Sequence, residues 1–366
     1  MIAAPTAATG AEMNPADMIV SPEDLVLVTG AAGFVGSRVV ASLLGLGLRN
    51  LRCVVRPRND RSRLEAVLRG KSAVARAEVV EGNLLSREYC ETVARDAALV
   101  YHLAAGAGTK SFADAYRNSV VTTRNLLDAV LQHNPPKRFV NVSSFAVYSN
   151  QNQPRRGVLD EACPMEPFPT RRGEAYCYAK VKQDELVMAY GRDRGLPYVL
   201  VRPGVVYGPG KHSITGRVGI DTFGLFLHLG GGNPIPFTYV DNCAEAIALA
   251  GLKRGVDGEV FNVVDDQLPS SRRFLTLYKR NVRSFRYVYV PHVISYGLCW
   301  LWEAYARRSA GQLPPAFNRS RWVAYWKKTR YTNDKAKNML GWMPRVAMAE
   351  GLRRYFESCR ERGPRA

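Results

Sequence analysis

Residues 25 to 36 read LVLVTGAAGFVG, an apolar run that breaks on glycine, and the residues that follow, SRVVASLLGLG, carry helical spacing. A short buried strand that turns through Gly30, Gly33 and Gly36 into a helix has the form of a phosphate-binding loop. The glycines permit a tight turn, let backbone approach a pyrophosphate closely and let the helix pack on the strand. The helix N-terminus adds N–H donors and the positive end of its dipole. Gly30, Gly33, Phe34, Val35 and Gly36 are therefore the expected cradle of a dinucleotide.

Outward from this loop, the sequence predicts strands at 51–56, 77–83, 98–105, 138–144 and 197–204, and helices at 120–133 and 179–194. Val- and Leu-rich strands alternating with helices predict an α/β fold, a Rossmann-type doubly wound parallel sheet covered on both faces. From about 209 to 235 the pattern gives way to Gly- and Pro-rich sequence, and GEVFNVVDD at 258–266 returns to the sheet. The expected division is a disordered tail over 1–22, without signal-peptide features, and an NAD(P)-binding domain over 23–208 plus about 236–265. A smaller, mainly C-terminal substrate-binding region takes about 209–235 plus 266–360. The second strand ends in Arg56, with Pro57 and Arg58 after it and no acid before Asp60. An acid there would hold the ribose 2′-OH of NAD, whereas a basic residue accommodates the 2′-phosphate of NADP, so the cofactor is NADP or NAD, with NADP favoured.

The net charge of +19 is uneven: residues 271–366 hold 21 Lys and Arg against five Asp and Glu, and all five tryptophans. A basic, Trp-rich region implies an anionic partner, and the expectation is a phosphorylated substrate or peripheral contact with an anionic membrane. No nucleic-acid-binding motif accompanies the charge, so no nucleic acid is expected. The apolar run VISYGLCWLW, 293–302, is too short to span a bilayer and reads as a buried helix, with an interfacial helix as the alternative. Seven scattered cysteines without a CxxC, and five isolated histidines, exclude a disulfide framework and a zinc site. They fit a reducing, cytoplasmic setting; the basic, Trp-rich region leaves membrane association at its inner face open as an addition.

The stretch GEAYCYAKVKQDE, 173–185, holds the spacing YxxxK twice, as Tyr176 with Lys180 and as Tyr178 with Lys182. Residues i and i+4 share a helix face, and an ammonium beside a phenol lowers its pKa toward that of an acid/base catalyst. Ala175, Ala179, Leu186 and Val187 form the expected packed stripe. Tyr176 and Lys180 flank that stripe, and Tyr178 and Lys182 fall on the other side. Helix phase alone leaves both pairs open.

With TGAAGFVG, YHLAAG (101–106), VSSFAVY (142–148), YCYAK, RPGVVYGPG (202–210), FTYVDN (237–242) and NMLGWMP (338–344) in order, the chain resembles the extended short-chain dehydrogenase/reductases. That group holds sugar-nucleotide epimerases and dehydratases and the 3β-hydroxysteroid dehydrogenases, and the match runs from about 24 to 357. The resemblance implies that Tyr176 exchanges a proton with the substrate oxygen while hydride passes to or from a nicotinamide. Lys180 binds the nicotinamide ribose and Ser144 bonds the reacting oxygen. Asn118 joins them as the group's asparagine before a threonine-containing helix. It also implies cofactor contacts from Asn83, Leu84, Leu103, Ala104, Ala105, Ser143, Pro203, Gly204 and Val205, and a homodimer through the tyrosine-bearing helix. Tyr178 and Lys182 then become a surface or dimer-contact pair.

Departures from the group's pattern narrow the chemistry. Phe145 and Ala146 stand where 4,6-dehydratases have an Asp-Glu pair, and neither moves a proton. Gly204 and Ile235-Pro236-Phe237 replace residues that contact a sugar nucleotide. The C-terminal pattern and YVDN are similar to 3β-hydroxysteroid-dehydrogenase-like members. The expected activity is interconversion of a secondary hydroxyl and a ketone on a hydrophobic or lipid-linked, sterol-like substrate. The alternatives are a sugar or nucleotide-sugar epimerase/reductase in polysaccharide assembly, and a non-catalytic NAD(P)- or nucleic-acid-binding protein.

Overall fold

The computed structural model describes residues 15–69, 76–106, 111–132, 135–151, 157–222, 224–309, 312 and 317–361. Fourteen strands follow in chain order: β1 Val26–Thr29, β2 Asn50–Val55, β3 Arg76–Glu81, β4 Leu99–His102, β5 Arg138–Val142, β6 Val158–Leu159, β7 Tyr198–Pro203, β8 Val205–Tyr207, β9 Gly219–Thr222, β10 Leu225–His228, β11 Phe237–Tyr239, β12 Val260–Val263, β13 Tyr287–Tyr289 and β14 Arg330–Tyr331. The helices are α1 Gly36–Gly45, α2 Ser62–Arg69, α3 Arg87–Ala94, α4 Phe112–Ala115, α5 Thr122–Gln132, α6 Ala175–Arg194, α7 Val240–Leu252, α8 Ser271–Asn281, α9 His292–Arg308, α10 Arg319–Trp326, α11 Asp334–Leu340 and α12 Met348–Glu361.

Seven strands make one parallel sheet in the order β12-β7-β5-β4-β1-β2-β3. The order reverses between β1 and β4, the switch point at whose carboxyl edge ligands of doubly wound sheets bind. Successive residues of β1 serve opposite faces: Val26 and Val28 pack with α1 and α7, and Leu27 packs with α3 and α5. Burial on both faces is why the strands read as continuous apolar runs. The sheet therefore draws on 26–203 and 260–263. A second, three-stranded sheet, β13-β10-β9, draws on 219–228 and 287–289, and the short parallel pair β8–β11 lies outside both.

Two expectations need correction. The tail does not extend through residue 22: Met18 and Val20 are buried in the core, Met18 bridges to Lys253, and Ile19 N donates to Leu252 O. Its apolar residues find a place beside the end of α7, and residues 1–14 lie outside the described residues. The run 293–302 is helical but not buried. Within α9 only Ser295, Cys299 and Ala306 are buried, because the helix is packed along a single face. Among the described residues no helix is long and apolar enough to cross a membrane.

Candidate active site

A cavity of about 710 Å³ opens at the carboxyl edge of the sheet, and every residue assigned to the cofactor from sequence lines it. The phosphate loop forms one wall. Gly30 adopts φ +71°, a left-handed conformation that suits glycine, and a Cβ there would lie 3.0 Å from Ala104 N. At Gly36 a Cβ would meet Gly30 O at 2.1 Å, so the start of α1 approaches the turn as only glycine can. Phe34, Val35 and Gly36, which lead into α1, line the cavity, while the N–H groups of Ser37, Arg38 and Val39 already donate to Gly33 O and Val35 O. This cradle fits a dinucleotide pyrophosphate. Farther along, Arg56 and Asn59 line the wall beyond β2, and the cavity lining contains no Asp or Glu.

At the other end, α6 delivers Tyr176 and Lys180 beside Ser143 and Ser144 from the end of β5. Tyr176 is 40% exposed and contributes to the cavity wall, whereas Lys180 is 4% exposed. Tyr178 packs edge-on against Phe112, ring centroids 5.4 Å apart, and Lys182 pairs at the surface with Glu185 at 2.7 Å. Of the two YxxxK pairs, only Tyr176 with Lys180 reaches the cavity.

The electrostatics differ from expectation. Protein packed around the phenol raises the Tyr176 pKa, and the hydrogen bond with Ser144 opposes that rise. Lys180 Nζ donates to Val142 O at 2.8 Å and to Gln183 Oε1 at 2.9 Å. Burial pushes the lysine itself down to about 8, against the opposing charge of Asp184. Tyr176 is therefore held as a proton donor. Asn118 does not line the cavity. It sits on a π-helical turn over Tyr116–Val121, where its Nδ2 donates back to Asp114 O and Oδ1, and Thr122 reaches the wall from the next turn.

Behind Lys180 runs a buried chain that sequence reasoning missed. Gln183 Nε2 donates to Thr123 Oγ1 at 2.7 Å, and Thr123 gives its own proton to Ser119 O. Thr123 Oγ1 therefore accepts from His102 Nε2, leaving Nδ1 to accept from Thr29 Oγ1, both at 2.8 Å. Thr29 Oγ1 in turn accepts Ala104 N–H. The lysine is thus tied to the strand that carries the phosphate loop, through a neutral histidine. Burial, then the Lys180 charge, pushes His102 down to about 3. Between the ordinary value near 6.5 and about 3 the unfolded chain binds a proton that the folded chain refuses, so acidification through that window destabilises the fold. Calorimetric unfolding at pH 6.5 and 4.5 is expected to show His102→Gln losing about 2 kcal/mol less stability than the unsubstituted chain. Equal losses would contradict a neutral His102.

The cavity wall also contains residues that no motif announced: Arg172, Lys211, Thr215, Arg217 and Tyr325. Arg172 is 2% exposed, donates to Ala146 O and pairs with Glu174. Arg217 donates to Ala324 O and Tyr331 Oη and lies over the rings of Tyr325 and Tyr331. Among the described residues no carboxylate pairs with Arg217 or Lys211. Lys211 is exposed, and the protein packed around its ammonium lowers its pKa.

Comparisons with known proteins agree with this geometry. The family model for the NAD dependent epimerase/dehydratase family matches residues 26–263. A trifunctional UDP-glucose 4,6-dehydratase/UDP-4-keto-6-deoxy-D-glucose 3,5-epimerase/UDP-4-keto-L-rhamnose-reductase of Arabidopsis thaliana is 27% identical over 65% of this chain, which spans only 36% of that relative. The 3beta-hydroxysteroid-dehydrogenase/decarboxylase isoform 1 of the same plant is 23% identical over 93% of this chain and 80% of its own. The solved UDP-glucuronic acid 4-epimerase of Bacillus cereus, in complex with UDP-glucuronic acid and NAD, shares the fold. Its TM-score is 0.68 at 20% identity, over 92% of this chain and 99% of that one. The glycine cradle, the Ser-Tyr-Lys cluster and the family match together place this chain in the NAD dependent epimerase/dehydratase family, within the extended short-chain dehydrogenase/reductases.

Proposed function

We propose that the protein interconverts a secondary hydroxyl and a ketone on a substrate that carries an anionic group, with NADP favoured over NAD. The nicotinamide cofactor, when bound, supplies or takes up the hydride. In the direction of reduction, Tyr176 Oη–H gives its proton to the new alkoxide oxygen and Ser144 Oγ bonds that same oxygen. Lys180, fixed between Val142 O and Gln183, supplies a positive charge beside the phenol as the proton leaves. The segments around 209–235 and after 266 provide the substrate side, through Lys211, Arg217 and Tyr325.

The observation that carries the substrate reading is the cavity wall: Arg172, Lys211 and Arg217 line it, with no carboxylate in the lining. A neutral sterol-like molecule would leave Arg217 and Lys211 partly desolvated without an anion. A phosphate or carboxylate on the substrate gives them charge-assisted hydrogen bonds. The same wall suits a sugar epimerase acting on a phosphate-bearing sugar, which would return the hydride and leave the nicotinamide absorbance unchanged. NADP is supported by Arg56, which lines the cavity beyond β2 where an acid would select NAD.

Steady-state oxidation of NADPH and NADH should be followed with phosphorylated ketoses, their unphosphorylated counterparts and a neutral steroid ketone. Phosphorylated ketoses are expected to exceed neutral ketones by at least about tenfold in kcat/KM, a difference that Arg217→Ala abolishes. Arg56→Glu is expected to cost NADPH about ten- to hundredfold in affinity. Equal use of neutral and phosphorylated ketones would overturn the anionic substrate, and tight NADPH binding by Arg56→Glu would overturn the cofactor preference.

A further inference from the structure

Helix α9 is seated by one narrow face. Ser295, Cys299 and Ala306 are buried, Trp322 Nε1 donates to Ser295 Oγ at 2.9 Å, and the ring of Tyr296 meets Trp322 edge-on at 5.1 Å. On the remaining surface Val293 is 85% exposed, and Ile294, Leu298, Trp300, Leu301 and Tyr305 are each at least half exposed. At 3.6 residues per turn these six side chains share an arc of roughly 160°. No charged residue falls on it between Val293 and Tyr305, and Arg308 enters it only at the last turn. The strand β13, joined to α9 through Val290 and Pro291, adds exposed Tyr287, Val288 and Tyr289. A water-facing surface of this extent and continuity marks a place where something docks.

The charge around the arc identifies the occupant. Between residues 271 and 309 the chain holds eight Lys and Arg and one acid, Glu303, which pairs with Arg319 at 2.8 Å. The basic groups interleave with the exposed aromatics: Lys279 Nζ lies 4.4 Å from the Tyr287 ring centroid, and Arg272 lies 5.5 Å from that of Tyr289. Arg307 and Arg308 close the last turn of α9. An apolar helix face with a tryptophan, bordered by cations, matches a bilayer interface in which acyl chains take the apolar arc and anionic headgroups take the arginines. A second copy docked symmetrically would bring the same cations against themselves. At 17 residues the helix is about 25 Å long and carries charges at its end, so it lies in the interface and does not cross it.

We propose that α9 and β13 form a docking surface for an anionic lipid bilayer. The surface stands independently of the chemistry in the cavity, although α9 packs on α10, which supplies Tyr325 to the cavity wall.

Co-sedimentation of the full chain with vesicles tests this, using phosphatidylcholine alone and phosphatidylcholine with phosphatidylglycerol. Binding to the anionic vesicles is expected to be at least about tenfold tighter, and to weaken as salt is raised. The double variant Leu298→Ser, Leu301→Ser is expected to lose binding at least about tenfold while keeping its unfolding temperature and its NADPH affinity, because both side chains are mostly exposed. The double variant Arg307→Gln, Arg308→Gln should lose the preference for phosphatidylglycerol. Equal binding to both vesicles would overturn the anionic partner. Unaltered binding by the leucine variant would overturn the surface. Failure of the unsubstituted chain to bind either vesicle, with a dimer that Leu298→Ser, Leu301→Ser dissociates, would assign the face to a second copy.

Discussion

Tyr176→Phe is expected to lower the rate of hydride transfer by about 10²–10⁴-fold while leaving NADPH affinity within about threefold. Tyr178→Phe is expected to leave both within about threefold. The contrast follows from where one helix sends two similar pairs. Tyr176 and Ser144 line the same cavity, and the protein around the phenol raises its pKa, so its proton is retained until a negative oxygen develops within reach. The Tyr178 ring packs on Phe112 and Tyr116, away from any reacting atom. Removing one phenolic oxygen from Tyr176 deletes the proton donor but no part of the dinucleotide cradle. Single-turnover absorbance at the nicotinamide band separates the two variants. A large loss for Tyr178→Phe with none for Tyr176→Phe would reverse the assignment.

Gly36→Val is expected to weaken dinucleotide binding by more than about hundredfold and to lower the unfolding temperature. A Cβ at this position would already lie 2.1 Å from Gly30 O, 2.9 Å from Gly30 C and 3.1 Å from Ala31 Cα. These are backbone atoms of the turn itself, so no side chain can swing aside. The start of α1 must move away from β1, which shifts the backbone of Phe34, Val35 and Gly36 off the phosphate position. Overpacking of this kind costs about 1–3 kcal/mol in a well-packed interior. Gly45→Ala provides a control, since a Cβ there meets nothing within 4 Å. NADPH fluorescence titration with thermal unfolding checks both effects. Unchanged affinity in Gly36→Val would show that the loop does not hold the pyrophosphate.

Much of the fold was legible because the sheet is buried on both faces. Val26–Thr29, Asn50–Val55, Leu99–His102 and Tyr198–Pro203 each stand out as apolar runs closed by glycine, arginine or alanine-rich turns. The phosphate loop was legible because its glycines answer to backbone geometry that other residues cannot adopt. Composition failed where environment decided the outcome. VISYGLCWLW has the hydrophobicity of a buried helix, yet only Ser295 and Cys299 within it are buried. The residues at the substrate end were hidden for a different reason. Lys211 and Arg217 come from the Gly-rich excursion and Tyr325 from α10, and only the tertiary fold gathers them on the wall of the cavity that Ser144 lines. The His102 chain was invisible because each member, Thr29, Thr123 and Gln183, reads in isolation as an ordinary polar residue of a strand or helix. The family resemblance implied a catalytic Asn118, but a local π-turn gives its side chain to Asp114.

A crystal structure of the chain with NADPH tests the central reading most directly. The nicotinamide ring is expected beside Tyr176 and Ser144, with Lys180 on its ribose, the pyrophosphate over Phe34, Val35 and Gly36, and the 2′-phosphate at Arg56. A dinucleotide bound with its nicotinamide away from Tyr176, or bound outside the cavity at the carboxyl edge of the sheet, would contradict it.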